Sequence, residues 1–332
     1  MRQVTVFIVA LALLGSACSD SGFGDTVTVY SGRSEELIAP LIERFEEQTG
    51  IDVAVRYAGS TELAATILEE GAGGPADVFF AQDPASLGTV ALAGRFSELP
   101  EDIHAAVPAR FADAAGRWVG VSGRARVVAY DTTVVSVDEL PATEDGFTAS
   151  DWRGRTALAP TNGSFLAFVA AKILLEGEAA TLAWLTSMAD NDAPTYAGNS
   201  AIVAAVDDGQ VETGLVNHYY RYRLAVEGPD TVVENYFFPE ATAGSLVMPA
   251  GAGILAGTPH RDAATTFVEY LLSPEAQEYF ATETYEYPLV PGVPVASGLP
   301  PLGSIPTPAV DLSLLATELD TATDLVAEAG LL

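Results

Sequence analysis

The alternation of strand and helix patterns that opens at residue 26 constrains this chain more than any other feature. Residues 26–30 alternate β-branched positions as a strand does, and Ser31-Gly32-Arg33-Ser34 forms a turn. Residues 35–49 then place Leu37, Ile38, Leu41, Ile42 and Phe45 at helical spacing until Gly50 ends the pattern. Residues 51–57 read as a second strand, 61–71 as a second helix and 76–80 as a third strand. Such alternation implies a parallel sheet with helices packed on it. Ligands of such sheets sit beyond the carboxyl ends of the strands, which places Ser31 to Ser34 and residues 81–83 at the mouth of a cleft.

A second α/β set follows. Residues 126–130, after the Gly123 turn, are apolar and β-rich and form a candidate crossover between two lobes. A strand is predicted at 156–159, helices at 165–175, 179–188 and 200–207, and a strand at 213–217 that ends in His218-Tyr219-Tyr220. Residues 244–255 look like a return strand. Helices at 262–271 and 274–281, a proline-rich stretch from 288 to 308 and a last helix near 312–329 complete the pattern. A chain of 332 residues, 49% of them hydrophobic, exceeds one ordinary core, so two lobes are expected.

Charge and cysteine usage exclude whole classes. The chain holds 45 acidic residues against 15 Lys and Arg, a formal charge of -30 that repels phosphate backbones, so no nucleic-acid partner is expected. That acidity suits solubility and names no ligand. Arg2, an apolar run over 4–14 and the small residues Gly15, Ser16 and Ala17 form a signal peptide over 1–17, because the run is too short to span a bilayer. Cys18, the only cysteine, follows as in a lipobox, where the thiol carries a lipid; the alternative is cleavage after Ala17 with an incidental thiol. Residues 18–25 then act as anchor and tether, and the membrane is met through the lipid alone. Without another cysteine the fold has no disulfide, zinc-thiolate site or thiol nucleophile. Three histidines, and no serine elbow, His-Glu-x-x-His or phosphate-binding glycine loop, argue against an enzyme.

Several segments in order resemble the periplasmic ferric-ion-binding proteins, type-II solute-binding proteins of ABC importers. They are Val27-Thr28-Val29-Tyr30-Ser31-Gly32, Pro75-Ala76-Asp77-Val78-Phe79, Ser122-Gly123-Arg124-Ala125-Arg126-Val127-Val128 and Ala159-Pro160-Thr161-Asn162-Gly163-Ser164-Phe165. Further along come Gly177-Glu178-Ala179-Ala180, Ala197-Gly198-Asn199-Ser200, Asn217-His218-Tyr219-Tyr220 and Glu286-Tyr287-Pro288-Leu289. The resemblance implies an α/β fold of two lobes with a ligand cleft between them and hinge strands near 124–129 and 244–255. Lobe 1 would comprise 26–123 with 246–295, and lobe 2 would comprise 124–245 with 296–332. It also implies a monomeric, extracytoplasmic lipoprotein, in a periplasm or on the outer face of a membrane, that delivers a small ligand to an ABC permease.

Ferric ion is a hard acid that favours anionic oxygen, and a bound cation can deprotonate a Tyr whose ordinary pKa is about 10. In the family a consecutive Tyr pair supplies two phenolates, and the matching positions are Tyr219 and Tyr220. Many members add a His after the first strand and a Glu after the third; here Ser34 and Gln82 stand there, and Gln82 could ligate only through its amide oxygen. Glu35, Glu36 and Asp83 lie near the mouth, either compensating or as solvated carboxylates. The family's synergistic anion, carbonate or phosphate, is implied at Asn162, Gly163, Ser164, Asn199 and Asn217, where a helix start also favours negative charge; ordinary capping is the compatible alternative. Ser31, Gly32, Arg33, Ser34, Arg124 and Arg126 line the cleft, the last two holding an anion or forming structural ion pairs. His218 is read as a core or surface residue and His104 and His260 receive no role. The rival function is the same fold binding phosphate, phosphonate or sulfate without metal.

Overall fold

The computed structural model describes residues 26–228 and 230–332, so the predicted signal peptide, Cys18 and the predicted tether lie outside the described residues. Among the described residues nine strands form the framework: β1 (Thr26–Ser31), β2 (Asp52–Tyr57), β3 (Val78–Ala81), β4 (Val119–Asp131), β5 (Thr156–Ala157), β6 (Thr213–Asn217), β7 (Val233–Tyr236), β8 (Val247–Ile254) and β9 (Tyr287–Pro288). Eleven α-helices accompany them there: α1 (Glu35–Thr49), α2 (Ser60–Glu70), α3 (Pro84–Leu92), α4 (Glu101–Ala105), α5 (Gly163–Glu176), α6 (Glu178–Asp190), α7 (Asn199–Asp207), α8 (Tyr219–Glu227), α9 (Arg261–Leu271), α10 (Pro274–Thr282) and α11 (Leu319–Glu328).

The sheet runs β2-β1-β3-β8-β4-β6-β5, with β7 and β9 also pairing β4. β1 lies parallel to β2 and β3, as the alternation requires, and β5 lies parallel to β6. Between these parallel sets run β8, antiparallel to β3, and the 13-residue β4, antiparallel to both β8 and β6. One end of β4 (Val119 to Ala125) pairs with β8 and the other (Arg126 to Tyr130) with β6, so a single strand joins the two halves. The crossover strand therefore begins seven residues earlier than the apolar pattern at 126 suggested, because Gly120, Ser122 and Gly123 mask its hydrophobic signal.

One buried apolar cluster runs through both halves. In the first, Ile38, Leu41, Ile42 and Phe45 turn one face of α1 onto the sheet, and Phe45 meets Phe267 edge-on at 5.2 Å. Truncating such a buried aromatic to Ala costs about 3–5 kcal/mol. In the second, Phe168 packs between Phe165 and Trp184 at 5.7 and 5.5 Å. A wholly buried cation, Lys172, is bonded there to Glu144, Asp145 and Glu176 at 2.7–3.2 Å. Residues 312–318 form a 3-10 segment that lies across α3 and α5, and α11 continues over α5 and α6. Among the described residues no helix is long and apolar enough to cross a membrane.

Two elements depart from the sequence pattern in ways that matter for the site. β6 ends at Asn217, and Tyr219 opens α8 rather than closing a strand. The run YYRYRLAVE carries aromatics that favour strands locally, and tertiary contacts decide for helix. α3 was not predicted, yet Asp83-Pro84 announces it: the Asp83 carboxylate accepts from the Ser86 N–H at 2.7 Å, and Pro84 occupies the first helical position.

Candidate ligand cleft

The tyrosine pair stands on the first turn of α8. Its rings stack with centroids 4.2 Å apart and planes 28° from parallel. Tyr219 is only 3% exposed and Tyr220 is half-buried. Burial, then the neighbouring Tyr220, raise the Tyr219 pKa well above its ordinary value, while Arg33 and Arg124 act in the opposite sense. Cations therefore face the phenols.

Three arginines form that cationic side, all buried. Arg33 Nη2 donates to Glu286 Oε1 at 2.7 Å, and Glu286 Oε2 accepts from Ser122 Oγ at 2.8 Å. Burial works against the Arg33 charge, but Glu286 and then Tyr219 outweigh it and raise its pKa. Arg126 lies over the Phe168 ring and donates through Nη1 to Asn217 Oδ1 at 3.2 Å. Burial, reinforced by Arg124, lowers its pKa to about 9, so it stays cationic at neutral pH. Arg124 is the exception: it is 0% exposed, and none of its three guanidinium nitrogens has a hydrogen-bond partner among the described residues. A buried charge without a partner is costly. Asp83, near Arg124, is committed elsewhere as the α3 cap; its pKa is raised by burial, against the lowering effects of Ser86 and Arg124.

The predicted anion loop is assembled as one network. Asn162 Oδ1 accepts from the Ser164 N–H at 3.0 Å and from Asn199 Nδ2 at 3.3 Å, and Asn217 Nδ2 donates to Ser164 Oγ at 3.1 Å. Through Asn217 this network reaches Arg126. The side chains of Asn162, Ser164, Asn199 and Asn217 thus come together, but they bond chiefly to one another. Gly163 faces Gln82 of the opposite wall, since a Cβ there would make an ordinary contact with Gln82 Nε2 at 3.6 Å. A cavity of about 320 Å³ lies to one side of Gly163, among α2, α3, α5 and the start of α11, lined by Leu68, Asp83, Ser86, Leu166 and Leu319 among others; neither tyrosine and none of the three arginines lines it.

On the first-lobe side the loops after β1 and β3 are tied by Ser60, whose Oγ accepts from the Gln82 N–H at 2.9 Å. Gly32 is required beside it, because a Cβ there would fall 1.9 Å from that oxygen. Ser31 is buried, and its Oγ accepts from the Arg33 N–H at 3.1 Å. Ser34 is exposed and makes no side-chain capping bond to α1. Glu35 is exposed, and Glu36 reaches Arg223 of α8 at 3.6 Å. Among the described residues no group of three or more His, Cys, Asp or Glu side chains converges as a metal site.

Two participants escaped the sequence reading. Glu286 lies in a segment quoted for the family resemblance, but its partner Arg33 is 253 residues away, beyond any local pattern. His218 is fully buried, in keeping with its reading as a core residue; what the sequence hides is that it stands at the start of α8 without a side-chain cap bond and turns its ring toward β4. His104 bonds the Asp113 carbonyl, and His260 pairs with Asp77, both away from the cleft.

Residues 40–300 match the model of the bacterial extracellular solute-binding protein family. The Fe(3+)-binding periplasmic protein of Serratia marcescens is 32% identical over 323 residues, spanning 96% of this chain and 93% of that protein. The major ferric iron-binding protein of Neisseria meningitidis serogroup B is 34% identical over 309 residues, spanning 92% and 93%. Iron-bound HitA from Pseudomonas aeruginosa superposes with a TM-score of 0.87 at 32% identity, over 92% of this chain and 99% of that one. A Trichodesmium protein (IdiA, FutA) in complex with iron and citrate gives a TM-score of 0.81 at 30% identity, with the same coverage. The chain therefore belongs to the bacterial extracellular solute-binding proteins, with their two-lobed α/β architecture, and is an extracytoplasmic binding protein rather than an enzyme.

Proposed function

We propose that this protein captures ferric iron for an ABC importer, with Tyr219 and Tyr220 as phenolate ligands and a carbonate or phosphate completing the shell beside Arg124. The observation that carries the reading is the juxtaposition of a stacked tyrosine pair with a buried guanidinium that has no partner among the described residues. Charge supports it. With ferric ion bound, Arg33, Arg124, Arg126 and the metal carry more positive charge than the two phenolates and Glu286 offset, and a bound anion would reduce that excess. Arg126 and the Asn162–Ser164–Asn199–Asn217 network hold that side of the cleft in place, and Gln82 faces it from the other wall.

In this reading residues 26–123 with 246–295 and residues 124–245 with 296–332 close on each other about β4 and β8. The closed, loaded monomer is the form that the permease recognises, and Cys18 carries the lipid that keeps the protein at the membrane. The named ligands, ferric iron for the two relatives, iron for the two structural neighbours and citrate beside it in one, agree with this cargo.

The rival, an anion taken without metal, draws on the same free guanidinium and on the neutral Ser34 and Gln82. Iron retention separates the two. The mature protein, loaded with ferric citrate and passed through a desalting column, should keep one iron per chain. No retained iron, together with calorimetric binding of phosphate to the metal-free protein, would replace the ferric reading with the anion one.

A further inference from the structure

We infer that His218 is the positioning residue of the tyrosine pair, setting the phenols at a fixed distance from the arginines that face them. This rests on the ferric reading above. Tyr219 and Tyr220 occupy the first turn of a nine-residue helix whose start has no side-chain cap bond. Helix ends fray and leave their first N–H groups unsatisfied, whereas metal ligands must be held within about 0.5 Å of their working geometry. Something outside α8 must fix its start, and four hydrogen bonds converge there on one residue.

The His218 N–H donates to the Ala125 carbonyl at 3.0 Å, and its Nδ1 accepts from the Ala125 N–H at 3.1 Å. At the other side of the ring Nε2 donates to the Tyr285 carbonyl at 2.8 Å, and the His218 carbonyl accepts from Asn235 Nδ2 at 2.7 Å. A backbone N–H can only donate and a carbonyl can only accept, so the partners fix the tautomer with the proton on Nε2. The ring also packs against Tyr287 at 4.8 Å and meets Tyr219 edge-on at 6.0 Å.

The identity of those partners turns a buried histidine into a positioning device. Ala125 is the residue between Arg124 and Arg126, and Tyr285 precedes Glu286, the partner of Arg33. One imidazole therefore bonds the residues next to all three arms of the cationic side while its own chain neighbour is the first phenol. Tyr285 holds its carbonyl in place from a left-handed backbone (φ 59°), rarely adopted by a tyrosine, and its ring stacks on Tyr222 of α8 at 5.4 Å. A strained backbone kept beside the site, and gripped again by α8, fits a segment whose position matters to binding.

The test compares His218→Phe, which fills the space without polar atoms, with His218→Asn and His218→Gln, which can each restore one of the two ring bonds. Ferric affinity and the phenolate-to-iron absorption band are read for each, with the melting temperature as control. Loss of an outer partner of a metal ligand lowers affinity about 10–100-fold. The phenylalanine variant should show a loss of that size and a weakened or shifted band, with Asn or Gln recovering part of both. Should the phenylalanine variant fail to fold, the Asn and Gln variants decide alone: a changed band and affinity in either supports the role. A wild-type band and affinity in every folded variant would reduce His218 to packing. Absence of any band in the wild-type protein would instead remove the ferric reading, and this inference with it.

Discussion

The two walls of the cleft are made from the same kind of parallel α/β unit and equipped very differently. The wall after β1 and β3 presents exposed Ser34, half-buried Gln82 and an arginine already clasped to Glu286. The wall after β6, with the joining strand β4, presents two stacked tyrosines, a side-chain network of four polar residues and the free guanidinium of Arg124. In the proposed reading the ligand meets the second wall first and the other wall covers it. The chemistry is therefore concentrated where α8 begins and β4 passes beneath it.

The largest test of this asymmetry removes the phenols. Replacing Tyr219 and Tyr220 together by Phe deletes two oxygens and keeps both rings, so ferric binding should fall by about 10⁴-fold or more while the melting temperature barely moves. Retained ferric affinity would place the metal on the other wall.

Acidification tests the same phenols without mutation. Burial and Tyr220 hold the Tyr219 pKa well above its ordinary value, so the metal-free phenol is protonated at neutral pH, and ligation must release that proton. Affinity should fall as pH falls, by about tenfold per unit for each phenol proton released. A binding isotherm that does not shift between pH 6 and 8 would exclude phenolate ligation.

Arg124→Met separates binding from folding. It should weaken ferric binding about 10–100-fold and abolish its dependence on added carbonate or phosphate. The same change replaces an unpartnered buried cation by an apolar chain, so the ligand-free protein should gain about 1–4 kcal/mol in denaturant unfolding. A destabilised variant with intact anion dependence would show that Arg124 is structural. The smallest effect is expected from the covering wall: Gln82→Glu supplies a carboxylate opposite Gly163 and should raise ferric affinity about three- to tenfold, most visibly when added anion is scarce. No gain would show that this wall does not reach the metal.

Much of this organisation is legible in the sequence because it is local. The β1-α1-β2-α2-β3 run is declared by its periodicity, and Arg124 and Arg126, two apart on a strand, share a face as that spacing implies. Adjacent tyrosines after a strand and an Asn-Gly-Ser before a helix could likewise be picked out, since each is a short motif. What local patterns cannot carry are pairings across the chain. Glu286 with Arg33 and His218 with Ala125 and Tyr285 join segments that only the fold brings together. The helix at Tyr219 was hidden for a related reason: its aromatics favour a strand until the contacts of its neighbours are known. α3 is different, because its Asp-Pro start was in plain view and its cap could have been read.

The most direct measurement is a visible absorption titration of the mature domain with ferric ion, run with and without carbonate and phosphate. The account predicts a phenolate-to-iron charge-transfer band that saturates at one iron per chain and strengthens with added anion. No band at any anion concentration, with calorimetric binding of phosphate to the metal-free protein, would contradict it and leave the tyrosines as the cover of an anion site.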